Sequence, residues 1–481
     1  MLLGQVLLSN GAVTEGDVAT AVEAQKRAGG RLGDILVAMG KVGVDEVEEA
    51  LGNLPPAPAS LEETGIPLTD LLDLMTKTMA SGAVDTVTRL SEEMRLPPRL
   101  MRDLMQHASS RMLIEAMGVG AVASGMAVQQ PRYTLSIRGR EWAQQAFTRN
   151  GYVGPCPVPL AVYADRIRRQ TINRERVPPD AVARALSGLL GAERLIAQVG
   201  PAINSGRTML LYGPAGNGKT TVAQLIGSIF ESTVYVPFAF ETSGQIVRVF
   251  DPDIHREVPS PEDAYLAANP TSIRARGLDR RWVPCARPFV VTGGELTLEM
   301  LDLGFNPITK FYEAPLHVKA LNGIFLIDDF GRQLVRPETL LNRWIVPMES
   351  RVDYLKLQSG KSFLLPFDEL VVFSTNMSPH QLMDPAFMRR IPYKIEVRGP
   401  SEAEFGGIFR RVADSRGLPV TEEAIAFVLD ELVRRRGMTL AGFQPGFIVD
   451  QVLSSCRFEG VPPRVDEARL VAAIDNLDTR E

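Results

Sequence analysis

The stretch RTMLLYGPAGNGKTTVAQLIGSIF at residues 207–230 constrains the fold more than any other part of the chain. It carries the spacing GxxxxGK(S/T) as Gly213, Gly218, Lys219 and Thr220, with the apolar run Met209 to Tyr212 before it and an apolar-periodic run after it. A strand that enters a glycine turn and opens a helix is the setting this motif needs, so the surrounding core is α/β. Glycine lets backbone N–H groups face a β-phosphate at the helix N-terminus. Gly213, Pro214, Ala215, Gly216, Asn217, Gly218, Lys219, Thr220 and Thr221 are therefore the candidate nucleotide cradle. Lys219 is placed to pair with the β- and γ-phosphates and Thr220 to offer its hydroxyl to Mg²⁺.

Two further segments complete the chemistry. Ile324 to Ile327 are four apolar residues followed by Asp328 and Asp329, a Walker B pattern that sets Asp328 at a strand end as a metal ligand and Asp329 where a water-activating carboxylate belongs. A third apolar run, Leu370 to Phe373, ends in Ser374, Thr375 and Asn376, a polar tip suited to orienting the attacking water.

This order of motifs resembles the AAA+ ATPases over about residues 185–481. The resemblance implies ATP and Mg²⁺ as ligands, a ring hexamer, Asn376 as sensor 1, and Arg389 and Arg390 in DPAFMRRIPYKIEV as the place of the arginine finger that reaches a neighbour's γ-phosphate. The lead-in HVKALNGIFLIDD is similar to that of the magnesium-chelatase and MoxR-like branches. Two departures stand out. The second Walker B acid is Asp329 rather than Glu, one methylene shorter. The helix opened by Gln444, Pro445, Gly446 and Phe447 has no arginine at the sensor 2 position, and the nearby Arg434, Arg435 and Arg436 read as a solvated helix end.

A chain of 481 residues holds roughly three domains. With 52 Lys and Arg against 57 Asp and Glu, the net charge of -5 gives no global field for nucleic acid or an anionic membrane. Cys156, Cys285 and Cys456 are too few and too scattered for a disulfide framework or a CxxC zinc site. The start MLLGQVLLSNGAV has no basic residue ahead of its apolar stretch, and the run Ile114 to Val128 is short and carries Glu115. These features lead us to expect a cytoplasmic protein without membrane insertion.

The N-terminus is an internal repeat: Leu3, Gly4, Val6, Leu7, Leu8, Gly11 and Val13 recur as Leu32, Gly33, Ile35, Leu36, Val37, Gly40 and Val42. Each copy reads as a short helix, a turn and a second helix. The repeat resembles the MshEN-type domain of type II secretion and pilus ATPases, which binds cyclic di-GMP through a leading Arg and a closing Gln. Here the first copy has Leu2 for that Arg and keeps Gln25, while the second keeps Arg31 and has Leu54 for that Gln. Each half lacks one polar contact, so a docking module is favoured over a cyclic di-GMP receptor.

Pro55, Pro56 and Pro58 mark a linker. Beyond it the patterning predicts helices over residues 69–80, 84–94 and 99–109, strands within 111–117 and 133–136, and a closing helix over 138–147, which resembles a winged helix. Arg99, Arg102, His107 and Arg111 on its second motif helix are offset by Asp103, Glu92 and Glu93, which favours protein contact over DNA. The segment from Ser232 to Leu321 is a long insertion whose aromatics, Phe238, Phe240, Trp282, Phe289, Phe305, Phe311 and Tyr312, are read as local core ahead of an aromatic pore loop.

The expected organisation is a helical repeat domain at 1–54, a linker at 55–66, a winged-helix-like domain at 67–150, a connector at 151–184, an α/β ATPase core at 185–399 and a helical lid at 400–481. The function expected is ATP hydrolysis coupled to remodelling of a protein partner. The alternatives are a nucleotide-gated regulator with a DNA-binding winged helix, and a secretion or pilus ATPase.

Overall fold

The computed structural model describes residues 2–9, 12–28, 32–43, 55–82, 84–119, 131–189, 191–259, 278–382 and 385–477. At the N-terminus, helices Leu2–Ser9, Glu15–Ala28 and Leu32–Ala38 bury Leu3, Leu7, Ala21, Leu32 and Leu36. The middle helix starts where Thr14 and Asp17 cap one another reciprocally. A Cβ on Gly4 would lie 2.9 Å from Val18, which explains the glycine. The second helix expected for the second copy lies outside the described residues.

The next unit follows from its caps and periodicity. Helix Leu68–Gly82 precedes helix Val87–Met94, which Thr86 caps and Arg95 ends at φ +55°. Helix Pro98–Ser110 has Pro at its start, where the missing N–H costs nothing, and buries Leu100, Met101, Leu104, Met105 and Ala108 at helical spacing. Strands β1 (Ile114–Val119) and β2 (Pro131–Leu135) pair antiparallel with a bulge between Ala116 and Gly118. The first of them begins later than the sequence suggests because Arg111 and Met112 form a turn, with Met112 at φ +56°. Helix Ile137–Arg149 closes the unit, and Ser136 ties its start to the hairpin by donating to the Met112 carbonyl and accepting from the Gly139 amide.

Residues 151–184 do more than connect. They contribute β3 (Val158–Pro159) and helix Leu160–Arg169, and β3 pairs with a strand of the insertion. Along the chain follow β4 (Met209–Tyr212), β5 (Thr233–Pro237), β6 (Ala239–Thr242), β7 (Gln245–Arg248), β8 (Trp282–Ala286), β9 (Phe289–Thr292), β10 (Gly304–Phe305), β11 (Tyr312–Glu313) and β12 (Ile324–Ile327). The hairpin β13 (Val352–Lys356) and β14 (Ser362–Pro366) precedes β15 (Leu370–Thr375) and β16 (Tyr393–Glu396).

Five of these strands make a fully parallel sheet in the order β16-β4-β15-β12-β9. Side chains alternate between its faces. Met209, Leu211, Ile324, Leu326, Leu370 and Val372 pack with helices Pro179–Leu186, Ala192–Ser205 and Lys219–Gly227. Leu210, Phe325, Ile327, Val371 and Phe373 pack with Trp344 and Leu340 of helix Pro337–Ser350. Burial on both faces is why these strands are continuous apolar runs, and each such side chain contributes about 1.5 to 3 kcal/mol.

The insertion builds a second, mixed sheet in the order β10-β11-β7-β6-β3, beside the antiparallel pair of β5 and β8. Its aromatics form local core: Phe240, Trp282 and Tyr312 are buried, and Tyr163 of the connecting helix packs against both Phe240 and Trp282. Arg281, 4% exposed, clasps three segments at once by binding the Asp279 carboxylate and the carbonyls of Thr64 and Pro157. The C-terminal segment is a helical unit, Glu402–Ser415, Glu422–Leu429, Gln444–Glu459 and Glu467–Asp475, around Phe405, Phe409, Ile448 and Val452. No helix among the described residues is long and apolar enough to cross a membrane.

One position tests the packing of the second unit. A Cβ at Gly139 would fall 1.9 Å from the Leu113 carbonyl oxygen. Gly139→Ala is therefore expected to destabilise this unit by about 1–3 kcal/mol. The change should appear in urea as an earlier transition in the fluorescence of Trp142, whose indole N–H binds Asp73. An unshifted transition would show that the helix start is free to move away from the hairpin.

Candidate functional site

The site forms at the C-terminal ends of the parallel strands. β4 runs into Gly213 at φ +140°, where a Cβ would lie 2.3 Å from the Val397 carbonyl oxygen, so only glycine passes here. The loop reverses through Gly216 and Gly218, at φ +78° and +80°, and helix Lys219–Gly227 begins at once. The first amides of that helix have no partner within it, which suits them to an anion.

Lys219 is buried, and its ammonium donates to the carbonyls of Gly213 and Pro214, both at 3.0 Å, and to Asn376 Oδ1 at 2.6 Å. Burial lowers its pKa below the ordinary lysine value, and the carboxylates of Asp328 and Asp329 oppose that shift. Thr220 Oγ1 donates to Asp328 Oδ2 at 2.6 Å. Asn376 Nδ2 donates to Asp329 Oδ1 at 3.0 Å. The five residues read from three separate motifs, Lys219, Thr220, Asp328, Asp329 and Asn376, thus form one hydrogen-bonded constellation.

Strand order explains how. β15 lies between β4 and β12, so the residue after β15 stands between the loop after β4 and the acids after β12. The oxygens of Thr220 and Asp328 are the hard donors that Mg²⁺ takes, and with only one carboxylate between them the remaining positions would fall to phosphate and water. No cluster of three or more His, Cys, Asp or Glu able to hold a metal occurs among the described residues.

A cleft of about 820 Å³ adjoins the loop, lined by Gly216, Gly218 and Thr221 on one side and by Arg398, Ser401 and Glu404 on the other, with Arg194 at its wall. The helical C-terminal unit closes onto the loop: the Phe443 amide donates to the Gly216 carbonyl at 2.9 Å and the Gly442 amide to Asn217 Oδ1 at 3.0 Å. A Cβ at Gly216 would strike the Phe443 ring at 2.3 Å. Helix Gln444–Glu459 opens directly after this contact, and the Gly446 carbonyl accepts from Arg416, itself paired with Asp450. Arg434 and Arg435 are exposed and paired with Asp430 and Glu431, whereas Arg436, expected at a solvated helix end, is largely covered and binds Asp475 and the buried Glu431.

Arg389 and Arg390 do not join the constellation within one chain. They end helix Pro385–Arg390 and line a different cleft, of about 530 Å³, with Arg207 and Arg351. Arg390 is bound to Glu349 at 2.6 Å, and Arg389 is exposed. In the N-terminal repeat, Arg31 and Leu54 lie outside the described residues, as does the side chain of Leu2, while Gln25 is half-buried on helix Glu15–Ala28. On helix Pro98–Ser110 the exposed Arg99, Arg102 and His107 share the surface with exposed Asp103.

Two contacts are not evident from sequence, although Asn217 itself falls within the expected cradle. Asn217 is one of the variable positions inside the glycine loop, and its partner lies 225 residues away. Gln333 donates to the carbonyls of Asp328 and Asp329 from a loop with no motif of its own.

A family model for a domain of unknown function (DUF8689) matches residues 401–476, the helical C-terminal unit. No curated protein matches the chain. Among solved structures the chain is similar to NtrX from Brucella abortus in complex with ADP, at 16% identity over 71% of this chain and 67% of that one, with a TM-score of 0.36. It is also similar to the RuvB Holliday junction branch migration motor of Thermotoga maritima, at 16% identity over 66% and 74%, with a TM-score of 0.30.

The geometry at Gly213 leads to a direct test. Gly213→Ala is expected to weaken nucleotide binding by about tenfold or more, a loss of about 1.4 kcal/mol, measured by titrating the full chain with a fluorescent ADP analogue. Unchanged affinity would remove this loop as the cradle.

Proposed function

We propose that the chain binds ATP with Mg²⁺ and hydrolyses it as an AAA+ ATPase, in a ring whose neighbouring copy supplies Arg389 or Arg390. The observation that carries this reading is the bridge from Lys219 through Asn376 to Asp329, beside the contact of Thr220 with Asp328. A lysine has three N–H donors, and all three are engaged by Gly213, Pro214 and Asn376. Binding of the β- and γ-phosphates exchanges some of these partners for charged oxygens, which the buried ammonium favours. Asn376, released on its carbonyl side, keeps its amide toward Asp329 and offers its oxygen to a water. Asp329 then accepts the proton of that water as it attacks the γ-phosphorus and the bond to the β–γ bridging oxygen breaks, leaving ADP and inorganic phosphate. Thr220 and Asp328 would hold Mg²⁺, which would supply charge neutralisation at the phosphates.

Arg389 and Arg390 line a cleft apart from Lys219, which favours action on a second copy's nucleotide. The units at 1–54 and 67–150 are assigned the recruitment of a protein partner. Acids beside Arg99, Arg102 and His107 weigh against a DNA-reading surface. Cyclic di-GMP control through Gln25 and Arg31 is a subordinate proposal, and remodelling of the recruited protein is the work to which hydrolysis is coupled.

Lys219→Ala is expected to abolish nucleotide binding and turnover. Asp329→Asn should retain binding and lower kcat by about 10² or more, because it removes only the proton acceptor. Full turnover in the Lys219→Ala chain would end the assignment, and equal loss of binding in both variants would reverse the two roles.

Trans action has its own test. A Lys219→Ala chain mixed with an Arg389→Ala/Arg390→Ala chain, each inactive alone, is expected to regain hydrolysis, since an arginine finger contributes about 10³ or more in rate. No recovery on mixing would place the arginines outside the reaction.

A further inference from the structure

Asp329 adopts φ +46°, a left-handed backbone uncommon for a non-glycine residue, although Asp enters it more readily than most. Its carboxylate direction depends on that turn, so whatever fixes the turn fixes the proton acceptor. Part of the support comes from β15: the Phe330 amide donates to the Ser374 carbonyl at 2.7 Å, and Thr375 Oγ1 donates to the Phe330 carbonyl at 2.7 Å. The Asp328 amide donates to the Thr292 carbonyl at 2.7 Å, the Asp329 amide to Asp328 Oδ1 at 2.9 Å and the Arg332 amide to the Asp329 carbonyl at 3.0 Å. One further side chain, Gln333, binds the turn at several points. Gln333 Nε2 reaches the carbonyls of Asp328 at 3.0 Å, Asp329 at 3.3 Å and Gly293 at 3.4 Å, while Gln333 Oε1 accepts from the Gly331 amide at 2.8 Å.

This carboxamide therefore grips the backbone on both sides of Asp329 and ties it to the end of β9. It does so beside an exposed stretch of the loop, where the next residue, Leu334, is 86% exposed. A side chain used only to fill space would not direct its donor and its acceptor at four backbone groups around one carboxylate.

We propose that Gln333 is a positioning residue for ATP hydrolysis: its carboxamide holds the Asp328–Asp329 turn so that the Asp329 carboxylate faces the attacking water. The proposal rests on Asp329 as the water-activating group. It assigns to Gln333 an effect on turnover that far exceeds any on nucleotide affinity, because Gln333 makes no hydrogen bond to Lys219 or to the loop at 213–221.

The test compares the full chain with Gln333→Met, which fills a similar volume without a donor or acceptor pair, and with Gln333→Glu. The glutamate keeps the acceptor for the Gly331 amide but sets a carboxylate against three carbonyl oxygens. Steady-state ATP hydrolysis, titration with a fluorescent ADP analogue and amide hydrogen exchange over residues 328–333 are read for each. The expected result is a fall in kcat of about 10²-fold in both variants, with KM and ADP affinity within about twofold and faster exchange at Phe330 and Gly331.

Unchanged kcat in both variants overturns the proposal. So does a parallel loss of ADP affinity, which would make Gln333 a general support of the fold. If the unmodified chain hydrolyses no ATP, the ATPase reading fails on its own, and exchange still decides the role of Gln333: unchanged protection at Phe330 and Gly331 in the Met variant rejects it. Should Gln333→Met fail to fold, Gln333→Glu carries the same comparison.

Discussion

The hydrogen-bonded chain from Lys219 through Asn376 to Asp329 exists because β15 lies between β4 and β12. Neither neighbour could supply the bridge alone, since the loop after β4 carries the cation and the turn after β12 carries the acids. The parallel sheet holds this order by burying alternate side chains in two separate cores, so a shift of one strand by one residue would exchange the contents of both. Continuous burial of β12 and β15 is therefore a condition for the chemistry at their ends. The same condition accounts for the absence of charge within either strand, and for the polar residues that follow at once, Asp328 and Asp329 after β12 and Asn376 after β15.

Desolvation and connectivity work together at Lys219. A buried ammonium is tolerated because its three hydrogens are satisfied, two of them by the carbonyls of the loop it serves. The lysine thus helps hold the loop in shape before any phosphate arrives. The helical C-terminal unit adds a second constraint, since Phe443 rests on Gly216 and Gly442 on Asn217. Movement of the loop and movement of that unit are coupled through four residues.

Much of this was legible in the sequence, for definite reasons. The glycine spacing at 213–218 announces backbone that other residues do not adopt, and the runs at 324–327 and 370–373 announce strands buried on both faces. Pro98 and the spacing of Leu100, Leu104 and Ala108 place helix Pro98–Ser110 to within a residue, whereas the helix before it starts at Val87, three residues later than expected, because Thr86 caps it. What was not legible has no local periodicity. β3 is two residues long, and its partner Phe240 lies 82 positions from Val158. Gln333 and Asn217 act through long-range or backbone contacts that no spacing encodes. The aromatics of the insertion point to a core, although the sheet they build needed the connecting segment to be complete.

That last feature bears on how the chain can be taken apart. Because β3 seats the edge of the insertion's sheet and Arg281 grips Thr64, Pro157 and Asp279 together, the segments before and after residue 184 share one set of interior bonds. A gene fragment starting at residue 185 would expose the edge of β6 and strand a buried guanidinium with half its acceptors. Recombination between relatives at this point would do the same damage. The shared interior here reaches back across the connector to about residue 55, and the chain's modules overlap where a linear map would separate them.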